Sequence, residues 1–179
     1  LAPEIAGFLP SPAEKQERTR QPWRLGDTFN VAIGQGDLLI SPIQLINYIA
    51  GVANNGIIYR PRLVQSIGAE KLVGEVIVDY ADWRAELAQV QRGMRDGVIK
   101  TYGTSYALHD LPIAVAAKTG SAQVSNNLKT NAFFVGYAPY EKPELVVLVL
   151  IENAREGSLN AVPIARDVFN WYASNRLNK

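Results

Sequence analysis

The chain has 179 residues, enough for one domain with a substantial buried core. Its 18 basic and 17 acidic side chains nearly cancel to +1, and 47% of residues are hydrophobic, so nothing indicates nucleic acid as a partner. The sequence has no cysteine and a single histidine, His109; this excludes disulfides, thiolate metal sites and a cysteine nucleophile, and leaves Ser-His-Asp chemistry little to draw on.

Residues 1–30 carry Pro3, Pro10, Pro12 and Pro22 among charged side chains and are expected to form an extended loop. At Ser41 the pattern changes. Ser41 and Pro42 suit an N-cap and a first helical position, and Ile43, Leu45, Ile46, Ile49, Ala50 and Ala53 then share one helical face. Asn54-Asn55-Gly56 ends that helix. "GIIYRPRLVQSI" is a loop or short strand, and "EVIVDY" a strand candidate. From Asp82 to about Ile99, Leu87, Val90, Met94 and Val98 mark a second amphipathic helix.

"TYGTSYALHDLP" is a loop. Three strand candidates follow: Ile113 to Val124, Ala132 to Ala138, and Leu145 to Glu152, the last a continuous apolar run suited to burial on both faces. "SNNLKTN" and "PYEKPE" have hairpin turn chemistry. "NAVPIARDVFNWYASNRL" closes the chain as a helix with Val162, Ile164, Ala165, Val168, Phe169 and Tyr172 against a sheet, with Trp171 and Tyr172 as packing and rim groups. The order implies an α+β fold, an antiparallel sheet with flanking helices. The longest apolar run, Leu145 to Ile151, is far short of the roughly 20 residues of a membrane helix.

The chemistry concentrates in "AVAAKTGSAQV". A lysine ending a strand is often only a solvated edge residue that discourages edge-to-edge association, and on that reading Gly120 is no more than a bulge. Three neighbours favour a binding role. Ala114, Ala116 and Ala117 are small, Gly120 has no Cβ where another backbone approaches, and Thr119 and Ser121 set hydroxyls beside the Lys118 charge. Together they describe an edge strand that receives an extended peptide and holds its C-terminal carboxylate.

With these residues in view, "AAKTGSAQV" resembles the third motif of class B penicillin-binding proteins, a K-T-G. "PWRLGDTFNVAIGQGDLLISPIQLINYIAGVANNGIIYRPRLV" is similar to the family segment running G-D-T, I-G-Q-G, P-x-Q-L. "GFLPSP", "FFVGYAP" and "VVLVLIENA" extend the likeness in order along nearly the whole chain, and "LPSP" before "PWRLGDT" resembles the elongation-type penicillin-binding protein 2. Two departures stand out: Thr130-Asn131 precedes Ala132-x-Phe where the family often has histidine or aspartate, and Ser121 replaces a threonine.

The resemblance implies a penicillin-binding transpeptidase, or serine β-lactamase-like, fold that is incomplete here, with residues 1–179 the C-terminal portion of a single transpeptidase domain. It implies a D,D-transpeptidase that cross-links peptidoglycan stem peptides through a serine acyl-enzyme and binds β-lactams. Lys118 and Ser121 are the expected catalytic residues, Lys118, Thr119, Gly120 and Ser121 the expected substrate-binding set, and the Ser121 N–H an oxyanion donor. No cofactor or metal is implied. The family nucleophile lies in S-x-x-K, and no such tetrapeptide occurs: Ser11 has Lys15 four residues on, one too far. Ser125-Asn126-Asn127 matches the family's S-x-N by letter but follows the K-T-G strand, in a turn, and gets no catalytic role. The expected partners are the N-terminal part of the same protein and cell-wall elongation proteins. The expected location is the outer face of the bacterial cytoplasmic membrane, anchored by an N-terminal segment outside this chain.

Two other readings stay open, a non-catalytic penicillin-recognising sensor or degenerate module, and an unrelated α+β scaffold with an accidental K-T-G. "IGQGD" lacks the further residues of a phosphate loop and is expected to be a tight connection beside the cleft; His109 is expected at the surface, and Glu152 is a candidate buried structural carboxylate.

Overall fold

The computed structural model describes residues 5–124, 128–154 and 156–177. Its central sheet is a three-stranded antiparallel meander, ordered β5 (Ala116–Val124), β6 (Lys129–Ala138), β7 (Leu145–Ile151). The register runs from Ala116 opposite Tyr137 to Val124 opposite Lys129, and from Ala132 opposite Ile151 to Ala138 opposite Leu145. Among the described residues β5 and β7 are the two edges.

Each face of the sheet has its own core. On one, α5 (Gly157–Tyr172) buries Ala161, Val162, Ala165 and Phe169 against Ala117, Phe134 and Val147. Phe134 and Phe169 meet edge-to-face with ring centroids 6.2 Å apart. On the other face, α3 (Pro42–Ala53) sets Ile49, Val52 and Ala53 against Ala116, Val135 and Tyr137. β7 therefore has side chains covered from both sides, as its unbroken aliphatic sequence requires.

α3 begins as its sequence predicts. Ser41 Oγ accepts from the Gln44 N–H at 3.3 Å and Gln44 Oε1 accepts from the Ser41 N–H at 2.9 Å, with Pro42 at the first helical position. Asn55 and Gly56, both with positive φ, turn the chain out of it. A small arm follows, in which β1 (Ile57–Tyr59) pairs with β4 (Val76–Asp79) and β2 (Ser66–Ile67) with β3 (Glu70–Lys71).

α4 (Arg84–Ile99), entered through a 3₁₀ turn over Ala81–Trp83, lies along the outer side of β5. Its last turn comes close: a Cβ on Gly97 would stand 3.1 Å from the Ala117 carbonyl, and one on Gly103 would stand 2.3 Å from the Gly97 carbonyl. Arg95 Nη1 donates to the Val115 carbonyl at 2.7 Å, and its guanidinium lies over the Tyr140 ring.

The first 30 residues differ from expectation. In place of an extended loop there are two helices, α1 (Pro12–Thr19) and α2 (Leu25–Ala32). Ser11 caps α1 by accepting from the Glu14 N–H, with Pro12 preset for the first turn; these prolines start structure rather than prevent it. Asp27 holds the start of α2, its Oδ2 accepting from the Arg24 N–H and from Lys15 Nζ, both at 2.6 Å. α2 stops in a Schellman motif: the Gly34 N–H donates to the Val31 carbonyl at 3.0 Å and the Gln35 N–H to the Asn30 carbonyl at 2.8 Å, with Gly34 at φ +74°.

Smaller shifts are boundaries. β5 starts three residues later than the expected strand, β6 three earlier, and α5 begins at Gly157. Glu152 is exposed rather than buried, because β7 ends at Ile151 and the chain leaves the sheet in a turn. The Ser125-Asn126-Asn127 turn lies outside the described residues.

Candidate functional site

The direction of each peptide group along β5 follows from its neighbours. A Cβ on Gly136 of β6 would touch the Ala116 carbonyl at 2.9 Å, so even-numbered carbonyls face β6. Those of Val115 and Ala117 face α4. In an antiparallel strand a residue's N–H and C=O point the same way. The N–H and C=O of Thr119, Ser121 and Gln123 therefore face away from the sheet. Past Ala117 no strand among the described residues pairs with this side of β5, and its outward N–H groups are available to an added strand.

Side chains alternate across this edge. Ala116, Lys118 and Gly120 belong to the α3 face, and Val115, Ala117, Thr119 and Ser121 to the α5 face. Lys118 is exposed and bends round to the edge, where Nζ donates to the Thr119 carbonyl at 2.5 Å. The ammonium thus sits in the plane of the strand, on the side where a ligand would add. Ser121 is exposed and presents its N–H on the same side.

Thr119 departs from the expectation of a hydroxyl open to a ligand. Its side chain is 8% exposed and Oγ1 donates to Thr104 Oγ1 at 2.7 Å. The pleat is the reason: an odd-numbered side chain at this position meets the loop after α4 and the start of α5. The charge of Lys118 and the hydroxyls of Thr119 and Ser121 therefore do not share a face.

Gly120 is exposed, and a Cβ there would meet only Phe133 Cβ at 3.6 Å, an ordinary contact. Nothing among the described residues demands a glycine, which leaves space on that face for an outside group. "IGQGD" lies beside the strand as expected. Gln35 Nε2 donates to the Ser121 carbonyl at 2.8 Å, across 86 residues of sequence. No local pattern foretells that contact.

The loop before β5 is anchored from α5. Arg166 pairs with both Asp110 carboxylate oxygens, Nη1 to Oδ1 at 2.6 Å and Nη2 to Oδ2 at 3.0 Å, and also donates to the Ala107 carbonyl. The guanidinium lowers the Asp110 pKa below the usual carboxylate value. His109 is exposed and stacks on Tyr106 with centroids 4.1 Å apart. Trp171 is exposed, and Tyr172 donates to Glu144 at 3.1 Å, in keeping with rim and packing roles. Among the described residues no cluster of three or more histidines, aspartates or glutamates could hold a metal, and no helix is long and apolar enough to cross a membrane.

Comparison with known proteins places this chain in a family. Residues 7–170 match the penicillin binding protein transpeptidase domain. The chain is 35% identical to the peptidoglycan D,D-transpeptidase MrdA of Haemophilus influenzae, over 97% of this chain and 30% of that protein. It superimposes with a TM-score of 0.83 on penicillin-binding protein 2 of Helicobacter pylori, solved in complex with MreC, at 28% identity over 98% of this chain and 32% of that one. A penicillin-binding protein A from Mycobacterium tuberculosis, solved as a ceftriaxone acyl-enzyme complex, gives 0.68 at 25% identity over 82% of this chain and 35% of that one. The chain spans about a third of the length of these relatives. With a meander of the family's form, its K-T-G on an open edge, and a family match over nearly its whole length, this chain belongs to the penicillin-binding protein transpeptidase domain family.

Proposed function

We propose that the protein carrying this chain is a serine D,D-transpeptidase of the elongation-type penicillin-binding protein 2 class, which cross-links peptidoglycan stem peptides and is acylated by β-lactams. In this reading residues 1–179 are the C-terminal portion of one transpeptidase domain and supply the binding edge, while the serine nucleophile belongs to another part of the protein. The observation that carries it is the open edge of β5 beyond Ala117, where the Lys118 ammonium reaches the outward Thr119 carbonyl and the Ser121 N–H points to the same side.

A stem peptide ending in D-Ala-D-Ala adds along that edge as an extra strand. Its terminal carboxylate meets the positive end of Lys118. Gly120 leaves room for the peptide, and the half-buried Thr119–Thr104 hydrogen bond holds the strand from behind. The serine Oγ bonds to the carbonyl carbon of the penultimate residue, and the Ser121 N–H is one of two donors to the oxygen that becomes negative. The C–N bond breaks and the terminal D-Ala leaves as an amine with the proton. The amine of a second stem then displaces the serine, an amide forms, and the proton returns to Oγ. A β-lactam follows the first half of this path, as the acyl-enzyme form of the mycobacterial relative illustrates. The proposed partners are cell-wall elongation proteins, a reading supported by the complex of the Helicobacter protein with MreC, and the proposed place of action is the outer face of the cytoplasmic membrane.

Fluorescent penicillin tests the reading. The whole protein is expected to be labelled covalently and the 179-residue chain alone is not. In the whole protein, Lys118→Ala is expected to slow acylation about 100-fold or more, with unchanged melting temperature. Labelling of the isolated chain, or unaltered acylation of Lys118→Ala, would refute it.

A further inference from the structure

We propose that Gln35 is a positioning residue for the oxyanion donor of Ser121, taking the place of the neighbouring strand that β5 lacks on its open side. The inference rests on the transpeptidase reading for its catalytic consequence, and on geometry alone for its structural one.

Three elements prepare this contact. The Schellman motif at the end of α2 fixes the backbone of Gln35 through the 2.8 Å bond of its N–H to the Asn30 carbonyl. Gly34 and Gly36, at φ +74° and +75°, wind the chain on either side in a conformation that side chains with a Cβ resist. A Cβ on Gly36 would also press on Asn30 Cβ at 3.3 Å. The carboxamide of Gln35 is thus delivered from a rigid turn, and Nε2 reaches the Ser121 carbonyl at 2.8 Å.

β5 needs such a support at this point. Its outer side is held by Arg95 at Val115 and is closely approached by Gly97 at Ala117. At Thr119 the support comes from the adjacent Lys118 side chain. Ser121 follows Gly120, the strand's most pliable residue, and its carbonyl is gripped by Gln35 from a separate element. Because N–H and C=O of one residue point the same way, holding the carbonyl also holds the N–H on the open side. The bond does more than orient. With the carbonyls of Thr119 and Ser121 both accepting from cationic or amide donors of the chain, the edge from Thr119 to Ser121 presents N–H groups. That is a surface for carboxylate and carbonyl oxygens, and a poor template for an arbitrary strand.

The test uses the whole protein and a fluorescent penicillin, with Gln35→Ala and the near-isosteric Gln35→Glu, whose carboxylate cannot donate. One neutral hydrogen bond predicts acylation about 5- to 10-fold slower in both at neutral pH, with melting temperatures close to wild type. Acylation of Gln35→Glu, taken relative to wild type at each pH, is expected to recover towards about pH 5, where its carboxyl begins to regain a donor proton. Independently of catalysis, hydrogen exchange at the Ala122 amide, which faces β6 opposite Asn131, is expected to speed up in Gln35→Ala. Acylation within twofold of wild type in both variants, or faster than wild type, overturns the proposal. If wild-type protein is not acylated yet Ala122 exchange still accelerates, the positioning role stands and the transpeptidase reading falls; unchanged exchange overturns the positioning role.

Discussion

Gly157 opens α5 directly behind the K-T-G strand, and replacing it with alanine should drive helix and strand apart. The new Cβ would stand 2.3 Å from the Phe133 carbonyl, 3.0 Å from the Gly120 carbonyl and 3.1 Å from Thr119 Cβ. Two of these are backbone atoms of paired strands, which cannot swing aside as a side-chain tip would. Restoring ordinary separation from the Phe133 carbonyl requires the helix to withdraw by about 1 Å, and a gap of that size forfeits a quarter to a half of each contact it opens. The contacts at stake are those of Ala161, Val162, Ala165 and Phe169, all 1% exposed or less. Overpacking of this kind costs about 2–3 kcal/mol, or roughly 5–10 °C in melting temperature for a domain of this size. The assay is thermal unfolding of the protein, with Ser158→Ala as the control one residue on, where Ser158 Oγ bonds the exposed Glu156 carboxylate. Because the clash reaches Gly120 and Thr119, acylation should slow as well. A melting temperature within about 2 °C of wild type would refute the reasoning.

Thr119→Val keeps the side-chain shape but leaves Thr104 without its partner, so a loss of about 1 kcal/mol in urea unfolding is expected; no loss would return Thr119 to a ligand-facing role. Tyr137 is fully buried and its hydroxyl has no hydrogen-bond partner among the described residues, so Tyr137→Phe should leave stability unchanged or raise it by about 1 kcal/mol, and a clear drop would reveal a hidden partner. Arg166 depresses the folded-state pKa of Asp110 below 3.8. That contribution is present above the ordinary aspartate value and fades as pH falls through the lower folded value. The stability difference between wild type and Asp110→Asn should therefore narrow in acid below about pH 4, and a difference constant with pH would sink the assignment.

Where the sequence is strongly periodic, the fold is legible in it. Ser41-Pro42 and the spacing of Ile43, Leu45, Ile46, Ile49, Ala50 and Ala53 announce α3, though not the burial of Val52, and the unbroken run from Leu145 announces β7, because a buried face imposes its period on the residues that fill it. α1 and α2 bury no residue fully and so impose no such period. Their signals are in the caps. Ser11-Pro12-Ala13-Glu14 has the form of a helix start and Gly34 that of a helix stop, and both outweigh the prolines around them. At the site, the composition of the K-T-G strand identifies the edge, but which side chains face a ligand depends on where the helices lie. Thr119 and Ser121 flank Gly120 in sequence; Thr119 is buried against Thr104 and Ser121 is exposed, because the start of α5 covers one and not the other. The grip of Gln35 on Ser121 joins residues 86 apart and leaves no trace in local pattern.

The far side of the sheet carries a different liability. Among the described residues no strand lies beyond β7, whose seven residues are all leucine, valine or isoleucine. Such a segment, uncharged and free of proline and glycine, has the composition that stacks into cross-β fibrils when its edge is free. Glu144 and Glu152 bracket it as charged gatekeepers. Replacing both by the neutral amide, Glu144→Gln together with Glu152→Gln, removes the repulsion between stacked copies and is expected to lower the solubility of this domain without changing its core.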